Sequence, residues 1–208
     1  MDTNDLPALV ARARGLAAPG GRRILGIAGP PGAGKSTLAA GIVDALPGRA
    51  VLVPMDGFHL AGAELDRLGL AGRKGAPDTF DAAGYTALLT RLRDPAEPGP
   101  VYAPAFDRAL EEPVAGSVRV SADVPLVVTE GNYLLLDEGP WAAVRGLLDE
   151  VWFLDADPRE RVSGLVERHV RFGKSRAHAE RWVTGSDERN ARLVERYRDR
   201  ADLVVRRP

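Results

Sequence analysis

The chain contains no cysteine. That excludes a disulfide framework, a thiolate nucleophile and cysteine-ligated zinc. Lysine is nearly as scarce: Lys35, Lys74 and Lys174 are the only ones, and the remaining positive charge is arginine. The histidines, His59, His169 and His178, are scattered and show no metal-ligand spacing. The formal net charge is only −1, so no global basic field points to nucleic acid or an anionic membrane. No apolar stretch approaches bilayer-spanning length, and the N-terminal MDTNDLPALV carries acids where a signal peptide needs bases. A cytoplasmic protein with no nucleic acid and no membrane partner is expected. Its 208 residues predict one domain, 1–208, with a single sizeable core.

What is present centres on residues 24–43, ILGIAGPPGAGKSTLAAGIV. An apolar run ends in a glycine-rich turn, and a second apolar run follows at helical spacing. Gly29, Gly34, Lys35 and Ser36 satisfy G-x-x-x-x-G-K-[ST], the phosphate-binding loop. A triphosphate needs many inward N–H donors, so the backbone must approach the anion closely, and glycines permit that. The helix that follows adds its free N–H groups and the positive end of its dipole. The loop, Gly29, Pro30, Pro31, Gly32, Ala33, Gly34, Lys35, Ser36 and Thr37, is the expected nucleotide site. Lys35 is expected to reach the β- and γ-phosphates, and Ser36 to ligate Mg²⁺ carried with the nucleotide. Chance matches would arise in roughly two per thousand chains of this composition, and this one sits between strand-like and helix-like runs as the motif requires.

Residues 5–18 place Leu6, Leu9, Val10, Ala13 and Leu16 on one helical face, predicting a short helix on the sheet edge, stopped by Pro19, Gly20 and Gly21. Short continuous apolar runs at 50–54, 124–129 and 150–154, and a last one at 201–205, suit buried parallel strands. Residues 84–92, 158–172 and 175–183 read as helices. Strands alternating with helices predict an α/β fold with a parallel sheet covered on both faces. The glycine- and proline-rich stretch 57–122 reads as an elaboration on that core, a helical arm plus a β-hairpin, and no internal repeat is present.

Three of the strands end in acids, Asp56, Glu130 and Asp155, at the edge where open α/β sheets bind ligands. Phosphoryl transfer to an alcohol needs one carboxylate near Mg²⁺ and a second to orient or deprotonate the alcohol. Asp56 and Glu130 are the candidates, although strand-end acids also serve as turn formers. Asp155, followed by Asp157 and Pro158, reads instead as the beginning of the next helix. There is no Asn-Lys-x-Asp guanine reader and no Leu-Ser-Gly-Gly signature, which argues against a GTPase switch and a transporter ATPase. A small-molecule kinase is the class that remains. A nucleotide-dependent regulator that keeps the loop without transferring phosphate is the alternative, and a pure sensor would need no acceptor base.

Several ordered segments extend the comparison over residues 22–206: Pro54-Met55-Asp56-Gly57-Phe58-His59, Ala76-Pro77-Asp78-Thr79-Phe80-Asp81, Pro104-Ala105-Phe106-Asp107-Arg108, Thr129-Glu130-Gly131-Asn132-Tyr133, Arg168-His169-Val170-Arg171 and Arg200-Ala201-Asp202-Leu203-Val204-Val205. With the loop, they make the chain resemble the uridine kinase, pantothenate kinase and phosphoribulokinase group, especially its bacterial uridine kinase-like, or fructose transport system kinase-like, branch. The resemblance implies a three-layer P-loop NTPase fold with about five mostly parallel strands, a substrate-side insertion over 57–122 and an arginine-bearing lid over about 158–185. It implies ATP and Mg²⁺ as cofactors and a small-molecule hydroxyl acceptor, and it leaves a homodimer open. Asp56 matches the catalytic base, and Glu130 the acid at the magnesium-bearing strand end. Arg168 and Arg171, with Arg161 beside them, match lid arginines that close over the phosphates. A guanidinium suits charge spread over a transferring phosphoryl group, while a solvated face with a Glu167–Arg171 pair is the plainer alternative.

Asp78 matches a residue that holds sugar hydroxyls in these enzymes, and a turn after Pro77 would equally explain it. His59, Tyr102, Phe106 and Arg108, with Phe58 and Tyr85, are expected to border the acceptor pocket. Core packing competes for Tyr85 and Phe106, and pairing with Glu111 or Glu112 competes for Arg108. Phe106 stands where uridine kinases have tyrosine, and the histidine expected near Glu111 is missing. Uridine is therefore a poor candidate for the acceptor.

Overall fold

The computed structural model describes residues 5–18, 20–97 and 99–206; Pro19, expected to stop the first helix, and Asp2 of the N-terminal acids lie outside them. Five strands, β1 (Arg23–Ala28), β2 (Ala50–Pro54), β5 (Leu126–Gly131), β6 (Glu150–Asp155) and β7 (Leu203–Arg206), form one sheet in the order β2-β5-β1-β6-β7. Every pairing in it is parallel. All six residues of β5 are buried, and in β1 only Arg23 is not. A strand covered on both faces has no polar side, and this is why the apolar runs are unbroken.

Alternate residues serve opposite layers. Ile24, Ala28, Val127, Val151 and Phe153 face one core, and Leu25, Ile27, Val128, Trp152 and Leu154 the other. The second layer is closed by α1 (Leu6–Leu16) and α2 (Lys35–Asp44). The first helix packs on α2 and the central strand β1 rather than on the sheet edge. The first layer is closed by α4 (Ala82–Arg93) and the aromatic segment around Tyr133 and Trp141. Inside it, the Tyr85 hydroxyl meets Thr129 Oγ1 at 2.7 Å, and Thr129 donates to Val53 O at 2.6 Å. Tyr85 is thus a core residue.

Since α4 buries Tyr85, Leu88, Leu89 and Leu92 in the main core, 57–122 is only partly an insertion. Its outlying parts are α3 (Gly62–Arg67) and an antiparallel hairpin of β3 (Val101–Asp107) and β4 (Glu112–Val120). The hairpin presses on the 3₁₀ turn Met55–Phe58: a Cβ on Gly57 would stand 2.3 Å from Pro104 O. Gly57→Ala must therefore push two backbone segments apart, at a cost of about 1–3 kcal/mol by the overpacking scale. Thermal unfolding should show this as a midpoint lower by several degrees; an unchanged midpoint would mean that the two segments are not held this close.

Past the sheet lie α5 (Pro158–Arg171), α6 (Arg176–Trp182) and α7 (Glu188–Glu195). Asp157 caps α5, accepting from Arg159 N at 2.8 Å and Glu160 N at 3.2 Å. Asp155 pairs with Arg198 at 2.9 Å, a structural use that agrees with its reading as the approach to a helix. Helices α5 and α6 enclose a separate small core of Leu165, Val166, Ala179 and Val183. The Glu167–Arg171 pair weighed as the alternative to a lid role does not form; Glu167 pairs with Arg176 at 2.7 Å, across the two helices. No described helix is long and apolar enough to cross a membrane.

Candidate active site

At the carboxyl edge of the sheet, β1 runs into the loop and the loop into α2. Gly34 has φ 96° and ψ 16°, a left-handed turn that a β-carbon would resist, placed where α2 begins. Gly29 passes so near β6 that an added Cβ would come within 2.7 Å of Leu154 O. The loop therefore needs glycine for two reasons, turn geometry at one end and a neighbouring backbone at the other.

Pro31, Gly32, Lys35 and Ser36 face a cavity of about 220 Å³. Gly29, Pro30, Ala33 and Gly34 form the turn behind it, and Thr37 is exposed on the first turn of α2. Lys35 is only 7% exposed. Its Nζ donates to Pro30 O at 3.0 Å and to Asn132 Oδ1 at 2.7 Å. Burial lowers its pKa to about 8, against the opposing pull of Glu130 and Asp56. Ser36 Oγ donates to Glu130 Oε1 at 3.0 Å. Burial, and then the nearby Asp56, push the Glu130 carboxyl above its ordinary range.

One hydroxyl and one buried carboxylate in contact are hard oxygen donors, and they fit Mg²⁺, which keeps several waters and takes phosphate oxygens as ligands. Among the described residues there is no cluster of three or more His, Cys, Asp or Glu that could hold a metal. A cation here would complete its shell with phosphate and water.

Asp56 enters the same cavity from the turn after β2, the strand paired with the one that carries Glu130. Its Oδ2 lies 3.4 Å from Arg108 Nη2, so Arg108 pairs with Asp56 and with neither Glu111 nor Glu112. Glu112 instead accepts from Gly62 N at 2.9 Å. His59 Nδ1 lies 2.8 Å from Asp56 O, and its ring is packed on Phe80 and Phe106 at 4.0 and 5.0 Å. That burial lowers the His59 pKa. Phe106 borders the cavity, with Lys74 Nζ 5.1 Å from its ring centre and the Arg108 guanidinium 5.6 Å away.

The three lid arginines separate. Arg168 lines the cavity, its pKa lowered by burial and then by Arg108. Arg171, expected beside it, is exposed on the last turn of α5 and lies outside the cavity. Arg161 is buried and braces the loop from behind: Nη1 donates to Pro31 O at 3.2 Å, and Nη2 pairs with Glu188 of α7.

Two other expected site residues lie elsewhere. Tyr102 is 53% exposed on the outward face of β3 and does not line the cavity. Asp78 pairs with Arg73 at 3.0 Å and lines a second groove of about 430 Å³, across which Asn190 is shared with the first.

Sequence reasoning gave no role to Asn132, Lys74, Lys174 or His169, all of which line this cavity, as do Asp187 and Asn190 from the segment that resemblance placed near the adenine. His169 Nε2 meets Asp187 at 3.0 Å, and Lys174 Nζ lies 3.3 Å from His169 Nδ1. For two of these a signal existed. The chain has three lysines, and all three line this cavity.

A glycine loop that buries its lysine at a helix start, with carboxylates at the ends of two parallel strands beside it, defines a P-loop kinase. No family model matches the chain. It is 38% identical over 145 residues to the ATP-dependent kinase-like protein notR' of Aspergillus versicolor, covering 66% of this chain and 84% of that protein. It is 33% identical over 195 residues to a candidate uridine kinase, C227.14, of Schizosaccharomyces pombe, covering 88% and 83%. The crystal structure of a candidate fructose transport system kinase from Silicibacter sp. TM1040 superimposes with a TM-score of 0.86 at 36% identity, over 96% of this chain and 98% of that one. The chain belongs to this family of uridine kinase-like P-loop kinases.

Proposed function

We propose that the chain is an ATP-dependent phosphotransferase that moves the γ-phosphoryl group to a hydroxyl of a small metabolite, of the sugar, nucleoside or pantothenate kind. The observation that carries this reading is that Asp56 lines one small cavity together with Lys35 and the Ser36–Glu130 pair. A nucleotide sensor has no use for a carboxylate at that position.

In this reading the loop N–H groups and the start of α2 hold the phosphates. Asp56 takes the proton of the acceptor hydroxyl and orients its oxygen toward the γ-phosphorus. Lys35 and Arg168 stabilise the charge that spreads over the phosphoryl oxygens. Ser36 and Glu130 are the residues that would hold Mg²⁺, which would supply positive charge to offset that of the phosphates. Asn132 keeps the Lys35 ammonium on a neutral partner, so no ion pair has to break when phosphate arrives.

The decisive experiment is ADP formation across sugars, nucleosides and pantothenate. Stimulation by one acceptor class supports transfer. Slow hydrolysis indifferent to every acceptor would favour a regulatory protein.

The Lys35 ammonium gives a second test. With a pKa of about 8 in the free protein, it is charged below that pH and increasingly neutral above it. A bound triphosphate favours the charged form and raises the pKa, so binding should weaken as pH rises through about 8. Above that point, binding should be accompanied by proton uptake. Calorimetric titration at pH 8.5, in buffers of different ionisation enthalpy, reads this directly. Buffer-independent heats would remove Lys35 from contact with the phosphates.

A further inference from the structure

Resting on that reading, we infer that the acceptor is itself an anion, a hydroxylated carboxylate or phosphate monoester. Its charged end would sit between Lys74 and Arg108, and its hydroxyl at Asp56.

The argument begins with where this chain uses lysine. Lysine and arginine together number 28, yet only three are lysines, and all three line the one cavity. A lysine carries a compact charge with three freely rotating donors, unlike the planar fork that arginine offers on the rest of this surface. Lys35 belongs to the phosphate loop. Lys174 belongs to the lid, its ammonium 5.4 Å from the Trp182 ring centre and next to His169. Lys74 stands on the acceptor wall, where the transfer reaction by itself calls for no cation.

Lys74 is held in place without being neutralised. Its Nζ donates at 2.7 Å to the backbone carbonyl of Glu111, a residue at φ 55° in the hairpin turn, and lies over the Phe106 ring. Among the described residues, no carboxylate comes within 4.0 Å of it. Arg108 flanks the same ring and reaches Asp56 at 3.4 Å. The Glu111 carboxylate also borders the cavity and makes no ion pair among the described residues. Phe106 thus forms an apolar floor bracketed by two cations, with Asp56 beside one of them.

A neutral sugar or nucleoside would leave Lys74 without a counter-charge and Arg108 with Asp56 alone, the carboxylate that the acceptor hydroxyl needs. An anionic group supplies one, and charge-assisted bonds from lysine and arginine are about twice as strong as neutral ones. Arg108 then has a choice of partners. While the site is empty it holds Asp56; an acceptor anion can draw it away and leave the Asp56 oxygen to the substrate hydroxyl.

The test is direct binding, separate from turnover. Matched pairs are titrated into the full chain with a non-hydrolysable ATP analogue and Mg²⁺: glycerate against glycerol, pantothenate against pantothenyl alcohol, ribose 5-phosphate against ribose. The expected result is that at least one anion binds tenfold or more tightly than its neutral partner, and that Lys74→Met and Arg108→Met each remove most of that preference. The carboxylate and phosphate arms tell the two anion types apart. Equal or tighter binding of the neutral members, binding of no member, or an undiminished preference in both variants would overturn the inference. An anion that binds but never yields ADP would leave this inference standing and sink the transfer reading. Unchanged thermal midpoints in both variants would exclude misfolding as the cause of lost binding.

Discussion

Replacing Asp56 with asparagine should leave ATP affinity nearly intact and lower turnover by at least about a hundredfold, the scale of a lost general base. The asparagine keeps the shape of the side chain and its place on the Met55–Phe58 turn, so the fold has no reason to change. What it loses is the ability to accept the hydroxyl proton and the charge that faces Arg108 at 3.4 Å. The defect should therefore fall on kcat with acceptor present and spare the nucleotide half of the site, because the Asp56 carboxylate pairs with Arg108 and bonds to no residue of the loop. Acceptor-dependent ADP formation and nucleotide titration together read the split. Near-normal transfer would remove Asp56 from the mechanism.

Lys35→Ala should damage both halves, with transfer reduced by about a thousandfold and nucleotide binding weakened as well. The ammonium is the buried cation of the loop, and in a site closed to water one such charge aimed at a developing phosphoryl charge is worth several kcal/mol. Its removal also leaves Pro30 O and Asn132 Oδ1 without their donor. A modest loss of stability is therefore expected alongside the loss of function. Equilibrium titration with ATP and single-turnover transfer separate the two effects. ATP binding unchanged from wild type would mean that the loop does not hold phosphate as proposed.

The donor half of this site was legible in the sequence because it is local. Gly29 to Thr37 are consecutive, and backbone geometry at two glycines fixes the rest. Asp56 and Glu130 were legible through a rule of sheet topology, since acids at the ends of adjacent parallel strands must share an edge.

The acceptor wall was harder to read. Whether Asp78 and Tyr102 face inward depends on the direction of a 3₁₀ turn and on which side of a hairpin faces the cavity. No period in the sequence encodes either. In the lid, Arg168 and Arg171 were read as a pair; their i,i+3 spacing allows both on one face, and where the cavity ends along α5 is a tertiary fact that the spacing does not encode. Lys74 and Lys174 were visible as rarities, and only their convergence in space gives that rarity a meaning.

Arg161 changes how the Arg168 guanidinium reaches the phosphates. The first turn of α5 is fastened to the loop by the Arg161 bond to Pro31 O and to α7 through Glu188, and one turn later Leu165 leaves no room for a side chain on Gly32. Arg168 stands two helical turns beyond Arg161 on that same rod. Its distance from the loop is therefore set when the protein folds. The charge that develops during transfer meets a guanidinium already in position, with little reorganisation left for the reaction itself.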